Sequence, residues 1–382
     1  MRLGDICSKI GSGATPRGGK EAYSTSGIPI IRSQNVLDWS FSSNGLAYLN
    51  DEQAKTLSNV EVHQGDILLN ITGDSVARAC IVPSDVIPAR VNQHVAILRP
   101  KEKANATFIL AWLQTNKDLL LKLASSGATR NALTKRMLEG LDINLPSIDI
   151  QNHIAELISL IQSKINLNIK LNGYLEKLVS LEFSRRFKAS TPTIELGKVL
   201  SISTESIKPQ EHAGEIWEHY SIPAYDENRQ PLFELSDGIK SNKYAIDANC
   251  ILISKLNPAT KRIWMPSCTS EHSVCSTEFI VYKPKNPRYK SFYYAAIDSQ
   301  AFTDFLIAHV TGSTGSRQRT QPKATLTYPM PNPGHDAIEG FCAFADPIYK
   351  QIQSNKLESK WLVSLRDALL PKLMSGEIDV SK

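Results

Sequence analysis

Apolar residues recur at three spacings along this chain. The runs GDILLNIT (65–72), HVAILRP (94–100), NCILISKL (249–256) and EFIVYKP (278–284) are short, rich in Ile, Val and Leu, and bounded by turn formers. That pattern predicts strands. The segments FILAWLQTNKDLLLKLAS (108–125) and SFYYAAIDSQAFTDFLIAHV (291–310) each predict a helix. The third pattern is longer. From about Ile150 to Phe187 there is no proline, and Gly173 is the only glycine. Apolar residues at Ile154, Leu157, Ile161, Leu171, Leu175 and Leu178 keep a three-four spacing. This predicts one helix of roughly 38 residues, about 57 Å long at 1.5 Å per residue. A second such segment runs from about Asp336 to Ser375, with Ile348, Ile352, Leu362, Leu365 and Leu369 in its stripe. Pro347 and Pro371 are expected to kink or interrupt it.

The chain reads as one plan written twice. GDILLNIT faces NCILISKL and HVAILRP faces EFIVYKP at the same offset of 184 residues, and LVSL recurs at 178–181 and 362–365. The halves open with LGDICSKIGSGATP at Leu3 and LGKVLSIS at Leu196, and each has an Ile-Pro step, at Ile28-Pro29 and Ile222-Pro223. After the shorter helices come the Gly-Ser-Thr turns SSGATRNALTKR (125–136) and TGSTGSRQRTQPK (311–323). The exits INLPSID (143–149) and YPMPNPG (328–334) then lead into the long helices. Identity between the halves is low, so spacing and apolar pattern carry the comparison. The predicted layout is globular, helix, globular, helix. A helix this long needs a partner along its stripe, and the other copy is the simplest one. Asn168 and Asn355 fall at or near stripe positions, where buried amides would fix register. The alternative is that each helix only covers its own domain.

Bulk properties narrow the reading. A length of 382 residues fits two domains, and 42% hydrophobic with 21% charged residues is a globular composition. No eighteen-residue apolar run or signal-like start is present, so a cytoplasmic protein without membrane contact is expected. The six cysteines form no C-x-x-C pair; Cys80, Cys250 and Cys342 sit in apolar surroundings and read as buried thiols. Cys268, His272 and Cys275 lack a fourth ligand at a usual spacing, so no metal is expected. A net charge of +5 permits a polyanionic partner without demonstrating one.

No catalytic constellation stands out. GSGATP (11–16) is followed by polar residues where a cofactor loop would lead into an apolar helix, and Asn257-Pro258-Ala259 lacks a second proline and an aromatic residue. There is no Walker-type loop, and Asp66, Asp74 and Asp85 form no recognisable metal-nuclease arrangement. What recurs is a set of basic and amide side chains near turns. The first half has Arg17, Arg32, Gln34, Asn35, Arg78, Arg90, Asn92, Gln93, Arg130 and Arg136. The second has Lys255, Lys261, Arg262, Arg317 and Arg319. Arg and Lys pair with guanine edges or phosphates, and Asn and Gln pair with adenine, so these are the candidate DNA-binding residues.

The two openings, GDILL followed by a strand ending in Arg-Pro, the SSGATRNALTKR turn, the INLP exit, the long helix and the closing LRDALLPKLMSGEID together resemble the specificity subunit of type I restriction-modification systems. The resemblance covers essentially the whole chain and rests on repeated order, with LLPKLMSGEI its most characteristic stretch. It implies an α+β fold with two α/β target recognition domains separated by two long conserved helices in an antiparallel coiled coil. The boundaries would be 1–148 and 189–333 for the recognition domains, 149–188 and 334–376 for the helices, and 377–382 for a tail. It further implies a non-catalytic, sequence-specific subunit reading a bipartite site in double-stranded DNA. Two methyltransferase subunits would dock on its helices, and restriction subunits would join that core. S-adenosylmethionine, ATP and Mg would belong to those partners, with no cofactor on this chain. The second half departs from the pattern: LGKVLSISTESIK lacks a GSGATP-like loop, which weakens residue-level transfer there. The alternative is a single-chain nucleic-acid-modifying enzyme with an unrecognised active site.

Overall fold

The computed structural model describes residues 1–125, 131–187, 191–311 and 318–380. Its backbone contacts divide the chain into a first unit, Met1–Leu167 with Glu358–Lys382, and a second, Asn168–Leu357. The two long helices, Ile148–Arg186 and His335–Ser375, each contribute to both.

Every position of the first-unit strand Ile67–Asn70 is buried. A run of this kind, buried throughout and apolar but for its last residue, marks a strand covered on both faces. It lies within an antiparallel sheet ordered Cys7–Ser12, Val95–Pro100, Ile67–Asn70, Ala79–Ile81. Ile67, Leu69, Ala96 and Leu98 face a helical layer that includes Phe108, Ile109 and Trp112. Leu68, Val95 and Ile97 face a second sheet through Ile30, Val62 and Val91. That sheet is ordered Ala47–Leu49, Ile28–Ile31, Ala89–Val91, Glu61–Val62, with its two central strands parallel. Truncating Leu68, wholly enclosed between the layers, would cost about 2–5 kcal/mol.

The second unit repeats this plan in the same register. Ile67↔Leu98 recurs as Ile251↔Tyr282, and Leu68↔Cys80 as Leu252↔Trp264. The alternation also recurs. Ile251, Ile253, Ile280 and Tyr282 face the helices, while Leu252, Phe279 and Val281 face the other way. The second sheet again has a parallel central pair, Ile216–Tyr220 with Ser273–Cys275, and gains a fifth strand at Ser206–Ile207. The offset of 184 read in the sequence is therefore a register in three dimensions.

The shorter helices differ from expectation. Each expected helix is two: Ala106–Thr115 and Lys117–Ser125 in the first unit, Lys290–Ile297 and Gln300–Ala308 in the second. The breaks are side-chain capped. Asn116 donates its amide back to the Trp112 carbonyl, and the Ser299 hydroxyl accepts from the Phe302 N–H. Conversely, the second long helix runs unbroken through Pro347 and Pro371. Each proline forfeits one backbone bond, and packing of Ala345, Tyr349 and Ile352 in one core and Leu370 and Leu373 in the other holds the helix.

Within each unit the long helices run antiparallel. In the first, Gln162 Oε1 accepts from Arg366 at 2.7 Å, Lys164 meets Glu358 at 3.1 Å, and Ile161 and Ile165 pack with Leu362. The Arg366 guanidinium also lies 4.8 Å over the Trp39 ring, tying the helix to the globular part of the same unit. In the second unit Phe183 and Phe187 meet Phe341 edge-on. Between Val179 and the unit boundary the packing becomes polar. Asn355 donates to Asn172 Oδ1 at 2.8 Å, Asn168 donates to the Asn355 carbonyl, and Gln351 donates to Asn355 Oδ1 at 2.7 Å. Asn168 and Asn355 are thus buried as expected, joined by Asn172. The expected stripe was partly misassigned: Leu171 and Leu178 are exposed, and the buried line passes through Ile158, Ile165, Asn168, Asn172, Val179 and Phe183.

Replacing Asn355 alone with Leu leaves the Asn172 carbonyl oxygen buried and unsatisfied, and should destabilise the second unit by about 1–3 kcal/mol. Replacing Asn168, Asn172 and Asn355 together with Leu should recover that loss while relaxing the register. Urea unfolding midpoints of the single and triple variants check this.

Candidate nucleic-acid interface

Backbone bonds gather five loops at one end of the first unit. Asn92 N donates to Ile31 O, Ile71 N to His94 O, Leu133 N to Ile71 O, and Gly13 and Ala14 N to Val95 and Val91 O. Gly13 is required there, since a Cβ would stand 2.0 Å from the Val91 carbonyl oxygen. Asn70, the only polar residue of its strand, donates its side-chain amide to the Ser33 and Val36 carbonyls at 2.9 and 3.2 Å. It thereby pins the 32–36 loop to the end of the central sheet.

This end presents Arg17, Gln34 and Gln93 exposed, with Arg32 and Arg78 half-buried. Among the described residues neither Arg17 nor Arg78 has an ion-pair partner. Arg32 donates to the Gly45 carbonyl and lies over the Tyr23 ring, and Gln34 donates to the same carbonyl. His94 is held between Thr72 Oγ1 at 2.6 Å and the Gln93 amide at 3.2 Å.

Three expected contact residues are internal instead. Asn35 is fully buried, accepts from Arg32 N, and donates to Ser42 O and Asn44 O, so its amide is spent shaping the loop. Arg90 is buried, donating to Ala54 O and Ala89 O and pairing with Glu61 at 2.9 Å. Asn92 is buried, with its Oδ1 accepting from His94 N. The Asn35 and Arg90 donors are already satisfied within the fold and gain nothing by facing a base. Arg136 is exposed on the short helix Lys135–Glu139. Arg130 and Arg317 lie outside the described residues. Sequence reading missed Asn70, Thr72 and His94; the polar residue closing the otherwise apolar ILLN was the available signal for the first.

The second unit builds the same end from equivalent bonds. Lys255 N donates to Glu278 O, Thr320 N to Lys255 O, and Asn257 N to Gln318 O, as Ile71, Leu133 and Gly73 do to His94, Ile71 and Asn131. Gly73 and Asn257 share a left-handed conformation, at φ 75° and 48°. The charge pattern differs. Lys261 pairs with Asp298 at 2.6 Å, Arg262 with Asp226 through two bonds of 2.6 and 2.8 Å, and Arg319 with Glu278 through bonds of 3.1 and 3.0 Å. Lys255 is half-buried on the same loop. The more exposed Arg319–Glu278 pair is worth about 0–1 kcal/mol, so a phosphate can replace that carboxylate at small cost.

Comparisons with known proteins bear on this arrangement. Residues 1–177 match the family model described as the type I restriction modification DNA specificity domain. Over 98% of this chain and 95% of the other, the fold resembles the type I restriction-modification system S subunit from M. genitalium, at TM-score 0.57 and 14% identity. The match to the specificity domain covers the first 177 residues, and the likeness of fold extends over the rest. It is also 22% identical over 162 residues to a protein of Methanocaldococcus jannaschii named as a candidate type I restriction enzyme MjaX specificity subunit. That match spans 41% of this chain and 37% of the relative, so the chain aligns with little more than a third of the relative's length. The HsdS subunit from Thermoanaerobacter tengcongensis aligns over 99% of this chain and 96% of its own, at 15% identity and TM-score 0.35. The family model ends within the first long helix, and the second unit repeats the strand order and register of the matched part. No helix among the described residues is long and apolar enough to cross a membrane.

Replacing Arg17 or Arg78 with Ala should weaken DNA binding and lower the salt slope by about one unit if each meets a phosphate. Arg90→Ala and Asn35→Ala should lower the melting temperature and leave the slope unchanged. Anisotropy titrations across a salt series, with melting curves for all four variants, separate the two classes.

Proposed function

We propose that this chain is the DNA-reading subunit of a type I restriction-modification complex, each unit reading one part of a bipartite duplex target. The observation that carries this reading is the repetition of one loop-bearing end, in one register, on two units whose polar side chains at that end differ. Gln34, Arg78 and Gln93 on one and Lys255, Lys261 and Arg319 on the other suit two different sequences.

The chemistry is assigned to partners. Methyltransferase subunits, using S-adenosylmethionine, dock on the long helices, and restriction subunits supply ATP- and Mg-dependent cleavage. The helix Ile148–Arg186 supports docking through a second apolar line besides its buried one. Leu160 and Leu167 in the first unit, and Leu171, Tyr174, Leu178 and Leu181 in the second, follow a three-four spacing and are exposed. Apolar side chains repeated in this way mark a surface that a partner covers. The complex works in the cytoplasm, where its DNA is.

The helices are also proposed to set the unread gap between half-sites. Purified alone, the chain should bind DNA and transfer no methyl groups; with its methyltransferase it should form a stable methylating assembly. Leu178→Glu with Leu181→Glu should abolish that assembly while leaving DNA binding intact. Methylation by the isolated chain at the rate of the assembly would instead favour a single-chain enzyme. Adding seven residues at matched depth to both helices preserves their stripes and lengthens them by roughly 10 Å. The preferred gap should then grow by about three base pairs at about 3.4 Å per pair, read from methylation across a library of gap lengths.

A further inference from the structure

The second unit holds a cavity of about 210 Å³ that shares only Lys261 with the residues assigned to DNA reading, bounded by its globular body and by its own parts of the long helices. Its walls carry three cations, Arg229, Lys261 and Lys356, and two carboxylates, Glu176 and Asp298. The carboxylates are already committed. Asp298 is tied to Lys261 at 2.6 Å, and Glu176 is shared by Arg229 at 3.5 Å and Lys356 at 3.9 Å. One carboxylate at loose distance therefore serves two cations, which leaves a local charge of +1.

The neutral groups on the walls are donors. Tyr294 and Tyr349 line the cavity, and among the described residues neither hydroxyl has a hydrogen-bond partner. Tyr349 is only 8% exposed. Burial, with Asp298 adding to it, pushes both phenols well above their usual range, so each keeps its proton to donate. Burial also pushes the Lys356 ammonium down, Glu176 only partly offsetting it and Arg229 adding to it. A third of the Lys356 side chain remains accessible, so the group lines a wet cavity and is not sealed in a dry core.

The backbone points the same way. Arg229 ends the helix Ile222–Asn228 in the left-handed region, at φ 55°, where glycine is the usual residue. A long cationic side chain is kept there at a conformational cost, with its guanidinium 5.4 Å over the Tyr225 ring and turned to Glu176. Two cations, two unpartnered phenolic donors and excess positive charge in a space of several waters match a small tetrahedral or planar oxyanion.

We infer that this cavity binds an oxyanion of phosphate size between Arg229, Lys356, Tyr294 and Tyr349. The oxyanion comes either from solution or from a nucleic-acid backbone.

The test uses the full chain, titrated with inorganic phosphate against chloride at constant ionic strength. Tryptophan fluorescence serves as readout because Trp264 forms part of the wall. A saturable change at millimolar phosphate is expected, weakened at least tenfold in Lys356→Met and several-fold in Tyr349→Phe. The latter removes one hydroxyl and keeps the ring, so it remains informative if Lys356→Met fails to fold. No saturable change in the wild type, or equal affinity in Tyr349→Phe and any folded Lys356→Met, would overturn the site. Bound duplex then identifies the source. Loss of phosphate binding, together with a smaller salt slope in Lys356→Met, places a backbone phosphate there. Unchanged phosphate binding and slope support a free ion.

Discussion

Everything at the candidate interface depends on two four-residue strands being buried on both faces. Ile67–Asn70 and Ile251–Ser254 each send alternate side chains into a helical layer and into a second sheet. A slip of one residue would exchange the two sets and put Leu68 or Leu252 among partners shaped for its neighbours. Register is therefore strongly fixed, and with it the positions where the chain leaves the sheet. The loops at 32–36, 71–78 and 91–94 emerge together because the strands beneath them cannot shift. The same constraint in the second unit brings 255–262, 276–278 and 318–320 to the corresponding end. The readers can then diverge freely while their platform does not.

The long helices show the complementary use of polarity. Their buried line is apolar where it joins the globular part of each unit and amide-rich around Asn168, Asn172 and Asn355. Leucines there would pack acceptably in several alignments, whereas paired amides are satisfied in one. Stability at this layer is exchanged for a single alignment. That choice suits an element whose length and register matter more than its strength.

Much of this plan was legible in the sequence because burial on both faces writes an uninterrupted apolar run. GDILLNIT and NCILISKL, and the strands paired with them, stood out for that reason, as did the long proline-free helix. The α+β layout and the family resemblance followed from their repeated order. The interface residues were less legible. Asn35 and Arg90 have the same chemistry as Gln34 and Arg78, and only the fold decides which amide caps a loop and which faces out. Leu171 and Leu178 misled for a related reason. The helix carries two apolar lines, and periodicity alone does not say which is covered within the chain. Capping by Asn116 and Ser299 depends on single side chains inside otherwise continuous helical patterns, so the breaks there left little trace.

The central claim is that two units of one register read two different stretches of DNA. The most direct measurement is to assemble the chain with its methyltransferase, methylate a library of random duplexes, and sequence the modified fraction. The account predicts two short, dissimilar specified segments separated by a run of unspecified positions, with one methylated base in each. A single contiguous motif, or two identical inverted segments, would contradict it.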